Sequence, residues 1–215
     1  MTSHPAMPGK DEMSLDSYLP GPETAALEAL FTSTAVVALA EIGDKTQLLA
    51  IVLATRFQRP IPIILGILVA TLANHFLAAL VGAQAAAFLE GDWFRYLIAL
   101  SFVVMGIWTL IPDKLDDVED KPARFGAFLT TTVAFFLVEM GDKTQLATVA
   151  LGARFNDLIM VTMGTTLGMM LANVPAVLLG NELIRRVPLQ TVRILAASLF
   201  VLIGIWLAAQ TAGFL

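Results

Sequence analysis

Apolar residues fill six long stretches of the chain, at about 25–55, 61–88, 94–111, 125–154, 158–181 and 190–212. Turn-forming and charged residues gather between them: Arg56 to Pro60, Glu90-Gly91-Asp92, Pro112 to Pro122, Asn156-Asp157 and Arg185 to Pro188. Crossing roughly 30 Å of hydrocarbon takes about 20 apolar residues in a helix. The pattern therefore predicts an all-α integral membrane protein with six transmembrane helices, the third short and little tilted.

The stretches repeat. Residues 31–57, FTSTAVVALAEIGDKTQLLAIVLATRF, align without a gap on 129–155, LTTTVAFFLVEMGDKTQLATVALGARF, with 13 identities in 27 positions at an offset of 98. The same offset pairs Gly106-Ile107-Trp108 with Gly204-Ile205-Trp206, and Gly66 with Gly164; Leu72-Ala73-Asn74 and Leu171-Ala172-Asn173 pair at 99. Each copy holds three spans, and an odd number makes the second copy enter from the opposite side. The expected plan is two inverted three-helix repeats, as in many secondary transporters. The divisions read from the sequence are a polar tail (1–24), a first repeat (25–111), an acidic loop (112–124) and a second repeat (125–215).

Composition supports a membrane setting. Of the 215 residues 57% are hydrophobic and 14% charged, against about 25% charged in soluble domains. The absence of cysteine excludes disulfides, thiolate metal sites and cysteine nucleophiles. The net charge is −5, and no basic patch with interleaved aromatics is present, so nucleic acid is not an expected partner. The first 24 residues lack the basic start and apolar core of a signal peptide, so targeting is expected from the first membrane helix. With the N-terminus outside, inner loops carry Arg56, Arg59, Lys114, Lys121, Arg124, Arg185, Arg186 and Arg193, and outer segments carry Lys10, Arg95 and Arg154. That imbalance places both termini outside and the acidic loop in the cytoplasm. The loop, PDKLDDVEDKPAR, reads as a solvated linker, or as an antenna that gathers cations.

The distinctive chemistry lies within the spans. Glu41 and Glu139 fall near the middle of the first and fourth, each followed by Gly-Asp-Lys-Thr-Gln. A charge at a helix centre costs roughly 2.5–3.5 kcal/mol on insertion scales. Four such carboxylates are therefore expected to face one another, a cavity or an ion. On a continuous helix Glu41, Asp44 and Gln47 advance around one side, as do Glu139, Asp142 and Gln145, while Lys45 lies one turn from Glu41 on another side. Gly43 and Gly141 permit either an unwound turn or close approach by the other repeat. The oxygen-only donors suit Mn²⁺, Ca²⁺ or Mg²⁺ rather than zinc or copper. Four acids and two lysines sum to −2, the charge that one divalent cation or two protons neutralise. Competition between metal and proton for the same carboxylates is a physical basis for antiport. The alternative is a structural ion-pair knot. Lys45 and Lys143 either hold the carboxylates ionised or act as snorkelling anchors.

Other polar positions carry less. Thr34 and Thr132, in the matched triplets 32–34 and 130–132, are pathway candidates, or serve backbone hydrogen bonds and packing. Asn74 and Asn173 are pathway candidates or interhelical hydrogen bonders. His75 has no counterpart in the second half. Gly164 and Gly168 form a G-x-x-x-G packing signal.

Glu41-Ile-Gly-Asp-Lys-Thr46 and Glu139-Met-Gly-Asp-Lys-Thr144 resemble the duplicated E-x-G-D-[KR]-[ST] signature of a cation/proton antiporter family. Its members include Golgi-type Ca²⁺/Mn²⁺ transporters and bacterial and cyanobacterial manganese exporters. The resemblance covers nearly the whole chain after residue 24. It implies that Glu41, Asp44, Glu139 and Asp142 bind the cation and exchange protons, and that Thr46 and Thr144 fill the hydroxyl position. Gln47 and Gln145 extend the ligand set from geometry. The compact form resembles the bacterial members, which implies an inner-membrane location; with the Lys and Arg imbalance above, both termini are expected to be periplasmic.

The expected function is export of Mn²⁺, with Ca²⁺ as second candidate, against H⁺ and without a cofactor. The rival readings are a non-transporting membrane scaffold or assembly protein, and an exporter of a small organic solute. An enzyme is not expected, since no nucleophile–base pair or cofactor motif accompanies the acids. The sequence is compatible with a homo-oligomer but does not specify oligomeric state.

Overall fold

The computed structural model describes residues 21–89, 91–111, 126–180, 182 and 188–214. Most of the polar tail and the whole acidic loop, 112–124, lie outside these residues, as do Arg185 and Arg186 of the orientation argument. Among the described residues there is no strand. Eight helices are numbered here in chain order: α1 (Pro22–Glu41), α2 (Lys45–Phe57), α3 (Pro60–Phe88), α4 (Asp92–Thr109), α5 (Gly126–Glu139), α6 (Lys143–Phe155), α7 (Leu158–Leu179) and α8 (Leu189–Thr211). The helix begins at Pro22, inside the expected tail: proline at the first position removes one of the donors that a helix start leaves unpaired, and its φ is preset for the helix.

Four helices are long and apolar enough to cross a membrane: α1 from Glu23, α3, α7 and α8. α5 is a shorter apolar helix. Large apolar side chains such as Phe31, Leu65, Leu137 and Leu202 point outward, over more surface than a water-soluble domain leaves bare.

The first and fourth apolar stretches are not continuous helices. Each breaks inside the repeated motif, between Glu41 and Lys45 and between Glu139 and Lys143. Gly43 and Gly141 take φ of +83° and +77°, a left-handed conformation that glycine enters without strain. The unwound turn, one of the two roles open to these glycines, is thus the one adopted. The same correspondence ends the half-helices: Gln58 and Asn156 sit at φ of 52° and 49°, and their N–H groups donate to Ala54 and Gly152.

Packing repeats with the offset. α1 lies on α7 and α3 on α5, while α4 lies on α8. A Cβ built on Gly66 would fall 2.8 Å from the Phe128 carbonyl oxygen, and one on Gly164 2.5 Å from that of Leu30. Gly106 approaches the carbonyl of Ala197, and Gly204 that of Ala99, in the same reciprocal way. These glycines act as contact points where two helix backbones nearly touch.

Gly66→Val and Gly164→Val are expected to destabilise the bundle by about 1–3 kcal/mol or more, the usual cost of overpacking. Thermal unfolding in detergent checks this. Gly21→Ala, where a Cβ meets nothing within 4 Å, should cost less, no more than the roughly 0.5–1 kcal/mol of a poorer N-cap.

Candidate functional site

The two breaks bring the motif residues together. Glu41 is the last residue of α1 and Asp44 the N-cap of α2; Glu139 and Asp142 hold the same places at α5 and α6. The continuous-helix geometry expected for Glu41, Asp44 and Gln47 does not hold, because Gly43 interrupts the helix. The acids converge instead across the breaks. Glu41, Glu139 and Asp142 each offer an oxygen, and these oxygens lie within 4.8 Å of one another. All four acids are buried.

The lysines cross between the halves. Lys45 Nζ lies 2.8 Å from Asp142 Oδ1, and Lys143 Nζ 2.9 Å from Asp44 Oδ1. Lys143 is buried, with 5% of its side chain exposed, and Lys45 keeps 23%. Neither is a simple snorkelling anchor, since both ammonium groups are held by aspartate. Each ion pair ties α2 to α6 through residues of opposite repeats.

The hydroxyls orient the glutamates. Thr46 donates to Glu41 Oε2 and Thr144 to Glu139 Oε2, the latter at 3.0 Å. The other oxygen of each glutamate, Oε1, is buried without a hydrogen-bond partner among the described residues. Buried carboxylate oxygens left in this way cost free energy unless a cation, proton or water meets them.

The glutamines engage the breaks. Gln47 Oε1 accepts the Gly43 N–H at 3.0 Å, and Gln145 Oε1 accepts that of Gly141 at 2.7 Å. Both amide oxygens thus close the unwound turns. Gln47 also donates to the Ala172 carbonyl of α7 at 3.0 Å.

Of the pathway candidates, Thr34 and Thr132 donate to carbonyls of their own helices, at Leu30 and Phe128. The fully buried hydroxyls of those triplets belong to Ser33 and Thr131. Asn74 bridges α3 to α5 through the Phe136 carbonyl at 3.0 Å. Asn173 donates within α7, to Met169. His75 is buried in α3 against the backbone of Thr165 and is not part of the carboxylate group.

Arg193, at the start of α8, donates to the Gly43 carbonyl at 3.3 Å. Nothing in the motif points to it. The signal available was its match with Arg95 at the repeat offset of 98.

Apolar helices closing around a buried, paired acidic cluster define a polytopic membrane protein with an ionic centre. Comparison with known proteins makes the class specific. Residues 29–117 and 127–213 match the family model described as divalent cation/proton antiporter GDT1, and the chain belongs to that family. It is 49% identical over 187 residues to a Vibrio cholerae protein named "Putative manganese exporter", covering 86% of this chain and 93% of that one. GDT1-like proteins of Synechocystis sp. and Arabidopsis thaliana share 28% and 27% identity over 83% of this chain, covering 96% and 94% of their own lengths. No solved structure matches.

Lys143→Gln is expected to lower stability by about 3–5 kcal/mol, since it leaves Asp44 as a buried charge without its ammonium partner. Adding Asp44→Asn should recover much of the loss. Thermal unfolding of the single and double variants measures the coupling, and additive losses would show that the pair is not an energetic unit.

Proposed function

We propose that the chain exports Mn²⁺ from the cytoplasm in exchange for H⁺, with Ca²⁺ as a second substrate, at one site between the two broken helices. Family membership supports the reaction class. The name of the Vibrio cholerae relative supports the metal and the direction.

The observation that carries the reading is the division of charge in the cluster. Each Asp–Lys pair sums to zero, so Glu41 and Glu139 remain with a joint charge of −2 when ionised. One divalent cation or two protons neutralise that charge. A site that must be neutral to exist in a low-dielectric interior holds one or the other. Exchange follows, because the metal cannot leave without protons taking its place. The oxygens of Glu41, Glu139 and Asp142, within 4.8 Å of one another, can surround a single divalent cation, since oxygens bonded to one ion at about 2.0–2.6 Å lie no more than about 5 Å apart.

In this reading Glu41, Glu139 and Asp142 are the primary ligands, and Asp44 stands one ion pair away on Lys143. Thr46 and Thr144 aim the glutamates. Gln47 and Gln145 hold the turns at Gly43 and Gly141 in place of the ligand role first expected of them. The six spans are α1–α2, α3, α4, α5–α6, α7 and α8, arranged as two inverted repeats. Support comes from the reciprocal contacts at offset 98 and from the odd number of spans per copy. The excess of Lys and Arg in alternate loops supports periplasmic termini, a cytoplasmic acidic loop and, with a bacterial relative, an inner-membrane location.

Purified chain in liposomes under an imposed pH gradient should take up Mn²⁺ with counterflow of H⁺. Glu41→Gln and Glu139→Gln should each reduce the flux at least about a hundredfold while the protein still inserts. Full transport by both variants would overturn the assignment. Absence of any metal-dependent proton flux in the unmodified chain would favour a scaffold whose ion pairs lock its fold.

A further inference from the structure

The two halves match in sequence and in most contacts, but not at their breaks. Gly43 is covered: a Cβ built there would meet Leu189 Cδ2 at 2.9 Å, and its carbonyl accepts from Arg193. At Gly141 a Cβ would meet nothing within 4 Å. The residue that corresponds to Arg193 is Arg95, near the start of α4. Among the described residues Arg95 forms no hydrogen bond to the second break. It lines a cleft of about 650 Å³ with Glu28, Arg154 and Trp206. α8 packs on α1, whereas α4 packs on α6 rather than comparably on α5.

A second contact differs in the opposite sense. α3 and α6 touch closely: a Cβ on Gly82 would fall 2.0 Å from the Val149 carbonyl oxygen, and one on Gly152 2.6 Å from that of Ala79. The corresponding pair in the other half, α7 and α2, packs much less closely. One half is therefore closed where the other is open, at two independent places. A chain whose halves are near-copies can adopt either arrangement, with the roles of the halves exchanged.

We propose that Arg193 and Arg95 are a pair of positioning residues that alternately hold the carbonyls of Gly43 and Gly141, one in each of two exchanged states. In the state described here Arg193 is engaged and Arg95 is withdrawn. In the other, Arg95 donates to the Gly141 carbonyl, Arg193 releases Gly43, and α2 closes on α7 as α6 leaves α3. The guanidinium suits the task because it donates a charge-assisted hydrogen bond to a backbone oxygen freed by the unwound turn. This rests on the antiport reading above for its purpose, but not for its geometry.

The test uses the natural absence of cysteine. Spin labels are placed at Ile42→Cys with Gln190→Cys, and separately at the corresponding positions Met140→Cys with Asp92→Cys. Distances are measured by double electron–electron resonance on the full chain in lipid. In the unmodified background the 42–190 pair should be mainly short and the 92–140 pair mainly long. Arg193→Gln should shift populations about tenfold, lengthening 42–190 and shortening 92–140. Arg95→Gln should shift both the other way, and Arg193→Lys should retain the original distribution. Distances that stay fixed, or that move in the same direction for both Gln variants, would overturn the proposal. Mn²⁺ flux in the same liposomes keeps the two ideas apart. Opposed distance shifts without flux would leave the pair standing and sink the transport reading. Glu41-dependent flux with fixed distances would do the reverse.

Discussion

Two ion pairs exchanged between the halves, one buried and the other partly exposed at Lys45, tie this structure together at its centre. Lys45 reaches Asp142 and Lys143 reaches Asp44, each within 3 Å. Removing one partner of such a pair costs several kcal/mol, because the other charge is stranded away from water. The halves are therefore not free to separate at the motif. In the exchanged state proposed above, packing shifts through α3 on α6 and α7 on α2 while this cross-tie stays in place. A fixed centre with movable flanks is the mechanical requirement for opening a site first to one side and then to the other.

The same cross-tie sets the chemistry. With aspartates paired to lysines and one oxygen of each glutamate held by threonine, the Oε1 atoms of Glu41 and Glu139 are buried without a hydrogen-bond partner among the described residues. The breaks are what put these atoms together. In a continuous helix Glu41 and Asp44 would share one face of one rod, and the opposite repeat could approach only side to side. Ending α1 and α5 at glutamate and starting α2 and α6 after aspartate turns four helix ends toward a common centre.

Much of this was legible in the sequence. The duplicated motif and its offset singled out the acids that the fold brings together. The apolar stretches located α3, α4, α7 and α8 to within a few residues. The breaks were legible only as an option, because hydropathy does not change across Ile42-Gly43 or Met140-Gly141, and a glycine inside an apolar run equally suits close packing. Helical spacing alone did not show that the oxygens of Gln47 and Gln145 accept the N–H groups that the breaks free. The sequence carries no helical phase that would separate Thr34 and Thr132 from their buried neighbours Ser33 and Thr131. Arg193 was invisible for another reason: its partner is a backbone carbonyl 150 residues away, which no side-chain pattern encodes.

The central claim is that both halves build a single ion site. Titrating the purified chain with Mn²⁺ and following the free ion by electron paramagnetic resonance counts the bound ions directly. The account predicts one Mn²⁺ per chain, with binding lost equally in Glu41→Gln and in Glu139→Gln. Two ions per chain, with each variant losing one and keeping the other, would contradict it.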